Sequence, residues 1–396
     1  MNNDVKDFAK PRVCLLNDSF PPIIDGVANA VYNYASVIER LYGGVIVSTP
    51  KTPGVKDEHP FPVARYPSVN IKKIAHCRTG VPFGVAAARR ITAHEPDIIH
   101  SHCPFASGVF ARVLRRLTGA PVVMTYHTKF DIDIANIFGS PLARAAAARL
   151  ITENAEACDE VWAVSRGAGE NLKSLGYEGE WRVMENGTDF PLGRASESEM
   201  DAVSSEHGLT ADAPVFLFVG RMMWYKGVRI ILDGLNKAKS RGTRFHMIFV
   251  GGGTELDEIK KYAEENGLGG ECVFTGPVYD REKLRAYFSR ADMFLFPSSY
   301  DTNGIVVREA AACSLGSVLI RGSCAAEGVE DGVNGVLIDE NADSLAETVA
   351  ALSGNIERAR SIGARAAETI YLSWEDAVKA AYARYGEIIE KHKSSS

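Results

Sequence analysis

Val215-Phe-Leu-Phe-Val-Gly-Arg-Met-Met-Trp-Tyr-Lys-Gly227 is the stretch that decides the fold. Its apolar opening, Val215–Val219, reads as a strand buried on both faces, the kind found in parallel sheets. Gly220, Arg221, Lys226 and Gly227 then fall at the strand's carboxyl end, where doubly wound sheets bind nucleotides. An Arg fork and a Lys point charge can grip a diphosphate there, and the two glycines let the backbone come close to it.

Outward from this stretch, short apolar runs alternate with amphipathic helical patterns almost from end to end. In the first half the runs are 12–17, 45–49, 63–66, 97–101, 121–126, 160–165 and 181–185. In the second they are 215–219, 245–250, 272–275, 293–296, 317–320 and 336–338. Strand–helix alternation predicts parallel sheets covered by helices, with right-handed crossovers that bring the strands' carboxyl ends to one rim. The polar, turn-rich segment from Gly187 to Glu199 marks a connection between two such halves. The expected class is therefore α/β, with one Rossmann-like domain over 1–190 and another over 191–372. The last helical pattern, about 373–396, has no following strand to cover; crossing back over the first domain would give it a place.

Tyr300-Asp-Thr-Asn-Gly-Ile-Val-Val-Arg-Glu309 is the second candidate element. Thr302, Asn303, Gly304 and Ile305 offer backbone amides at a helix start, suited to an anion or to sugar hydroxyls. Asp301 and Glu309 stand eight positions apart, so that one can serve a hexose while the other reaches ribose hydroxyls. Glu309 also lies among small apolar residues, where a carboxylate needs a partner. Base contacts are expected from the backbone of Pro277 and Val278. In the first half, Asn17-Asp-Ser-Phe-Pro-Pro-Ile-Ile-Asp-Gly26 leads from a strand into a helix, so Gly26 brings that helix's first amides toward phosphates. His127 ends another strand beside Tyr126, and His100 and His102 end a neighbouring one; these three flanking residues are candidates for the acceptor side. Gly251-Gly-Gly253 does not complete a dinucleotide fingerprint and reads as a tight turn. Asp131 and Asp133 alone do not make a metal site, and Cys and His are not clustered at zinc spacing.

Length and composition bound the rest. A chain of 396 residues exceeds one ordinary core. Net charge of −6 and a pI near 5.9 argue against a nucleic-acid partner. Between Arg65 and Arg116, however, nine Lys/Arg stand against two acids. Seven scattered cysteines without a C-x-x-C read as reduced thiols of a cytoplasmic protein. Residues 1–10 carry no apolar signal core, and no run approaches a membrane span.

These motifs resemble the retaining glycosyltransferases of family four, which have the GT-B fold: two Rossmann-like domains facing each other across a cleft. The resemblance is carried by Pro22-Ile-Ile-Asp-Gly26, Ile98-Ile-His-Ser-His102, Thr125-Tyr-His127, Val183-Met-Glu-Asn-Gly187, Arg221 with Lys226, and Asp301 with Glu309. It implies a nucleotide-sugar donor held mostly by the second domain and a hydroxyl acceptor held by the first. Arg221 and Lys226 match the diphosphate clamp, Glu309 the ribose carboxylate, Gly26 the phosphate-facing glycine and His127 the histidine beside the hexose. The clamp replaces a metal, so no metal or other cofactor is expected. The departure is Asp301, where the family pattern E-x7-E has Glu; Asn303 also stands where an aromatic is usual.

Pro22–Val27, His100–Gly108 and Tyr126–Thr128 are similar to glucosyltransferases acting on diacylglycerol, which are peripheral membrane enzymes using a UDP-sugar. This implies UDP-glucose as donor, a lipid acceptor, and an anionic membrane surface met by the helix 105–118 through Arg112, Arg115 and Arg116. The competing readings are transfer to a soluble or polysaccharide acceptor, and a nucleotide-sugar binding protein with little or no turnover.

Overall fold

The computed structural model describes residues 10–23, 25–70 and 78–395. The chain divides into two compact units, Met1–Asn186 with Trp374–Ser396, and Gly187–Ser373.

In the first unit the elements run β1 (Val13–Leu16), α1 (Gly26–Leu41), β2 (Val45–Pro50), β3 (Val63–Tyr66), β4 (Ser68–Asn70), β5 (Arg78–Gly80), α2 (Val85–His94) and β6 (Ile98–Ser101). They continue α3 (Ala106–Thr118), β7 (Val122–Tyr126), α4 (Phe130–Ile137), α5 (Pro141–Glu156), β8 (Glu160–Ala163), α6 (Arg166–Ser174) and β9 (Arg182–Val183). Among the described residues seven strands form a parallel sheet in the order β3-β2-β1-β6-β7-β8-β9. Chain direction across the sheet therefore reverses between β1 and β6, which splays the loops after those strands apart. Side chains alternate across the sheet. Cys14, Leu16, Ile46 and Ile99 join Ala87 and Ile91 of α2 and Phe110 and Leu114 of α3 in one core. His100, of opposite parity to Ile99, meets the chain's last helix instead. The antiparallel pair β4–β5 was not legible as strands, since three polar-rich residues a side carry no alternation.

The second unit runs α7 (Glu197–His207), β10 (Val215–Val219), a short 3-10 turn (Trp224–Lys226), α8 (Val228–Ser240), β11 (His246–Val250), α9 (Leu256–Glu265), β12 (Cys272–Gly276), α10 (Arg281–Arg290) and β13 (Met293–Phe296). After these come α11 (Ile305–Ala312), β14 (Ser317–Ile320), a second 3-10 turn (Cys324–Ala326), β15 (Val336–Ile338), α12 (Ala342–Ser353) and α13 (Ile356–Thr369). The parallel order is β12-β11-β10-β13-β14-β15, so reversal falls between β10 and β13. The first unit ends at Asn186, short of 190, because Phe190 is buried edge-on against Phe288 in the second unit's core. The connection is also shorter than its polarity suggests. A capping box of Ser196 and Glu199 starts α7 within it, and that helix buries little beyond Val203.

The closing helix, α14 (Trp374–Ser395), belongs to the first unit. Tyr382 stacks on Tyr42 with centroids 3.7 Å apart, Tyr385 stacks on Trp162 at 5.5 Å, and Arg384 Nε donates to Glu160 at 3.0 Å. These contacts explain an amphipathic helix with no strand of its own. No helix among the described residues is long and apolar enough to cross a membrane. Cys77 lies outside the described residues; the other cysteines are free thiols.

Candidate active site

In the second unit the loops after β10 and β13 are locked together by glycine. Gly227 has φ +79, and a Cβ there would stand 1.9 Å from the Pro297 carbonyl oxygen. Only glycine permits that conformation and that approach. The Gly251–Gly253 run backs the Arg221 turn in the same way: a Cβ on Gly251 would lie 1.9 Å from Gly220 O, and Met222 N donates to Gly252 O at 3.0 Å. The run is a glycine loop between β11 and α9.

On this frame Lys226 is 7% exposed and its Nζ donates to Asp301 Oδ1 at 2.7 Å. Asp301 Oδ2 accepts from Ser298 Oγ at 2.6 Å. Lys226 Nζ also lies 5.6 Å and 5.3 Å from the ring centres of Tyr225 and Tyr300, and the Arg221 guanidinium, which is exposed, lies 5.8 Å from Tyr225. The two cations thus flank one aromatic ring at the strand-order reversal. Beside them, Gly304 (φ 59) begins α11 with no side-chain cap, which suits the first amides of α11 to an anion.

Glu309 is 6% exposed, and Arg281 Nη2 donates to its Oε1 at 2.7 Å. Burial raises the carboxyl's pKa, and Arg281 pulls it back. Arg281 also donates through Nε to Asp189 Oδ2 at 3.1 Å and covers the Phe190 ring at 4.3 Å. The sequence shows that Glu309 needs a partner but does not mark Arg281 as that partner, which lies 28 residues away with no local pattern. Val278 is half-buried against the core, and Pro277 sits beside Gly252, so the loops after β11 and β12 adjoin.

In the first unit Gly26 opens α1, and a Cβ there would meet nothing within 4 Å. Neither packing nor backbone conformation requires glycine, so the open space is what it provides. Asp25 caps the helix, accepting from Val27 N at 2.9 Å and Ala28 N at 2.7 Å. Across the strand-order reversal, Asp18 accepts from Ala106 N at 3.0 Å and Ser107 N at 2.7 Å, fixing the start of α3.

All three histidines are buried, and His102, 2% exposed, is thereby removed from the acceptor side. His127 and His102 meet at 2.9 Å, Nε2 to Nδ1. His100 is fully buried, its Nδ1 against Tyr385 Oη at 2.6 Å and its Nε2 against Thr125 Oγ1 at 2.7 Å. With both ring nitrogens occupied inside the unit, His100 is a core residue and cannot line an acceptor site. Tyr126 is corrected likewise: it is buried and its hydroxyl donates to Asn171 Oδ1 at 2.8 Å. Burial lowers the pKa of all three histidines, that of His127 to about 3, so they are neutral near pH 7. No group of three or more metal-ligating side chains is present among the described residues; the side chain of Asp133 lies outside them.

This arrangement is that of a glycosyltransferase. The model for Glycosyltransferase Family 4 matches residues 24–190, and that for Glycosyl transferases group 1 matches 199–369. The chain belongs to these glycosyltransferases and has their GT-B fold. It is 23% identical over 390 residues to the alpha-monoglucosyldiacylglycerol synthase of Acholeplasma laidlawii, covering 92% of this chain and 98% of that one. It is 26% identical over 337 residues to the GDP-mannose-dependent alpha-mannosyltransferase of Corynebacterium glutamicum, covering 83% and 76%. Among solved structures, Anabaena HepE in complex with UDP and glucose superimposes with a TM-score of 0.74 at 21% identity, over 95% of this chain and 99% of that one.

Proposed function

We propose that this glycosyltransferase moves a hexose, glucose, from UDP-glucose to an acceptor hydroxyl with retention of configuration. The observation that carries the proposal is the grouping of Arg221, Lys226 and the uncapped start of α11 at the strand-order reversal of the second unit. Fixed cations there stabilise the charge that develops as the diphosphate leaves, without a metal ion. Glu309, positioned by Arg281, takes the ribose. Asp301 orients Lys226 as well as facing the hexose, since both its oxygens are engaged within the unit. In the first unit His127 is assigned to the hexose and the Gly26 amide to the phosphates. The acceptor hydroxyl attacks on the face from which the diphosphate departs, and no covalent carboxylate intermediate is formed.

A lipid acceptor, diacylglycerol, and docking on the cytoplasmic face of an anionic membrane complete the reading. The relatives named for glucosyldiacylglycerol synthesis support it. On this reading the residues that meet the bilayer differ from the arginine row of α3. Arg112 donates to Asn154 Oδ1 at 3.1 Å and Arg115 to Ala157 O at 2.9 Å and Asp159 Oδ1 at 3.0 Å, so both are engaged in packing. The better surface is a groove of about 750 Å³ between α2 and α3, lined by Phe83, Val85, Arg89, Val113 and Leu117 among others. Phe83, Val85 and Leu117 are 67%, 63% and 55% exposed, with Arg89 and Arg116 exposed beside them to meet lipid phosphates.

The deciding experiment is UDP release and glucosyl transfer by the purified protein, with UDP-glucose and either diacylglycerol vesicles or a soluble sugar offered. Binding of UDP-glucose without turnover would make it a binding protein. Transfer only to the soluble sugar would remove the lipid reading, and activity abolished by EDTA would remove the metal-free one.

A further inference from the structure

We infer that His102 is a positioning residue that fixes the tautomer and orientation of His127, so that His127 presents its Nδ1–H. This rests on the hexose role proposed for His127.

The two rings share one proton. His102 Nδ1 and His127 Nε2 are 2.9 Å apart, and only one of them can donate. The other nitrogen of His102, Nε2, is buried and has no hydrogen-bond partner among the described residues. Were His127 the donor, neutral His102 would carry its proton on that buried Nε2 and strand an N–H, which folded proteins rarely tolerate. With the proton on Nδ1, only a lone pair is left without a partner. His102 is therefore the donor and His127 Nε2 the acceptor, which puts the proton of neutral His127 on Nδ1. A doubly protonated pair is excluded by burial, which lowers the pKa of both rings.

His102 is itself held rigidly. Its ring lies 3.9 Å from that of His100, centroid to centroid, and 5.1 Å from Tyr34 of α1. His100 is pinned between Tyr385 of α14 and Thr125 of β7. The closing helix is thus connected by packed rings to the residue assigned to the sugar, which holds the donor fixed both in angle and in protonation.

The test has two arms. Nitrogen-15 NMR of imidazole-labelled wild-type protein should show His127 protonated at Nδ1 and bare at Nε2; the opposite tautomer overturns the inference outright. In the second arm, His102→Leu should lower UDP-glucose turnover about tenfold, the worth of one hydrogen bond, while UDP, which lacks the hexose, binds as before. His102→Asn, whose side-chain amide N–H stands near the place of Nδ1–H, should restore most of the turnover. Wild-type turnover in His102→Leu overturns the inference, as does an equal loss in both variants. His127→Ala separates the two readings: full activity there would remove the hexose role of His127, whereas loss there with none in His102→Leu would remove only the role of His102.

Discussion

The two units solve one topological problem with opposite chemistry. Each is a doubly wound parallel sheet whose strand order reverses once, between β1 and β6 in the first and between β10 and β13 in the second. At these rims the first unit buries neutral imidazoles: His102 is bonded to His127, and His100 to Thr125 and Tyr385. The second buries charge in pairs, Lys226 with Asp301 and Glu309 with Arg281. A neutral imidazole N–H such as that proposed for His127 can orient a sugar hydroxyl without attracting counter-ions, while held charges can stabilise a departing diphosphate. The fold supplies the place; the side chains decide which half of the reaction each place can serve.

The largest expected consequence is opposite responses to acid. The histidines' folded pKa values are depressed, so below about pH 6.5, the ordinary histidine value, the unfolded chain binds more protons than the folded one and stability falls. Three such groups give a slope of up to ~4 kcal/mol per pH unit. Glu309 has a raised pKa, so its contribution moves the other way: it is present in full at low pH and lost as pH rises through the folded value. Hydrogen exchange between pH 7.5 and 5.5 should therefore show protection of β6 and β7 falling well before that of β10 and β13. Uniform loss across both sheets would break the contrast.

Next in size is the clamp. Arg221→Ala or Lys226→Ala should lower turnover roughly tenfold to a hundredfold with the fold intact, because each removes charge from the leaving diphosphate. Lys226→Ala should also leave Asp301 as an uncompensated like charge, so it should weaken UDP binding more than Arg221→Ala does. Wild-type rates in both, with far-ultraviolet circular dichroism unchanged, would show that the site lies elsewhere.

A smaller effect is expected at the ribose. Glu309→Gln should weaken UDP binding by about tenfold in calorimetry, the value of a hydrogen bond to a charged acceptor. In the wild type UDP affinity should decline on acidification at a higher pH than an ordinary glutamate would give, since burial raises this carboxyl. Arg281→Ala should raise that midpoint further, and an unmoved midpoint would mean that Arg281 does not control Glu309. Smallest is the surface effect: Phe83→Ser with Leu117→Ser should reduce sedimentation with anionic vesicles several-fold and leave UDP affinity as it was. Unchanged sedimentation would remove the groove between α2 and α3 as the docking surface.

Much of this was legible in the sequence because it is local. Val215–Val219 declares a buried strand by being apolar throughout, and its glycines and cations follow within a few residues. The same holds for the strands that build both parallel sheets and for the helix start at Gly304. What needed the tertiary structure is what joins residues distant in the chain. Glu309 by itself says only that a buried carboxylate needs a cation; that the cation is Arg281, held in turn by Asp189, follows from how α10 and α11 pack. His100, His102 and Tyr126 look equivalent along the chain, and all three are buried, but the return of α14 gives His100 its partner Tyr385 while His102 meets His127 and Tyr126 meets Asn171. The sequence by itself determined the alternation of strands and helices, and with it the parallel sheets and the rims on which chemistry can sit, because hydrophobic periodicity is a property of neighbours. Only the tertiary structure decided which polar groups meet, because the partner that stabilises a buried charge or ring nitrogen is chosen by packing across the fold and not by position along the chain.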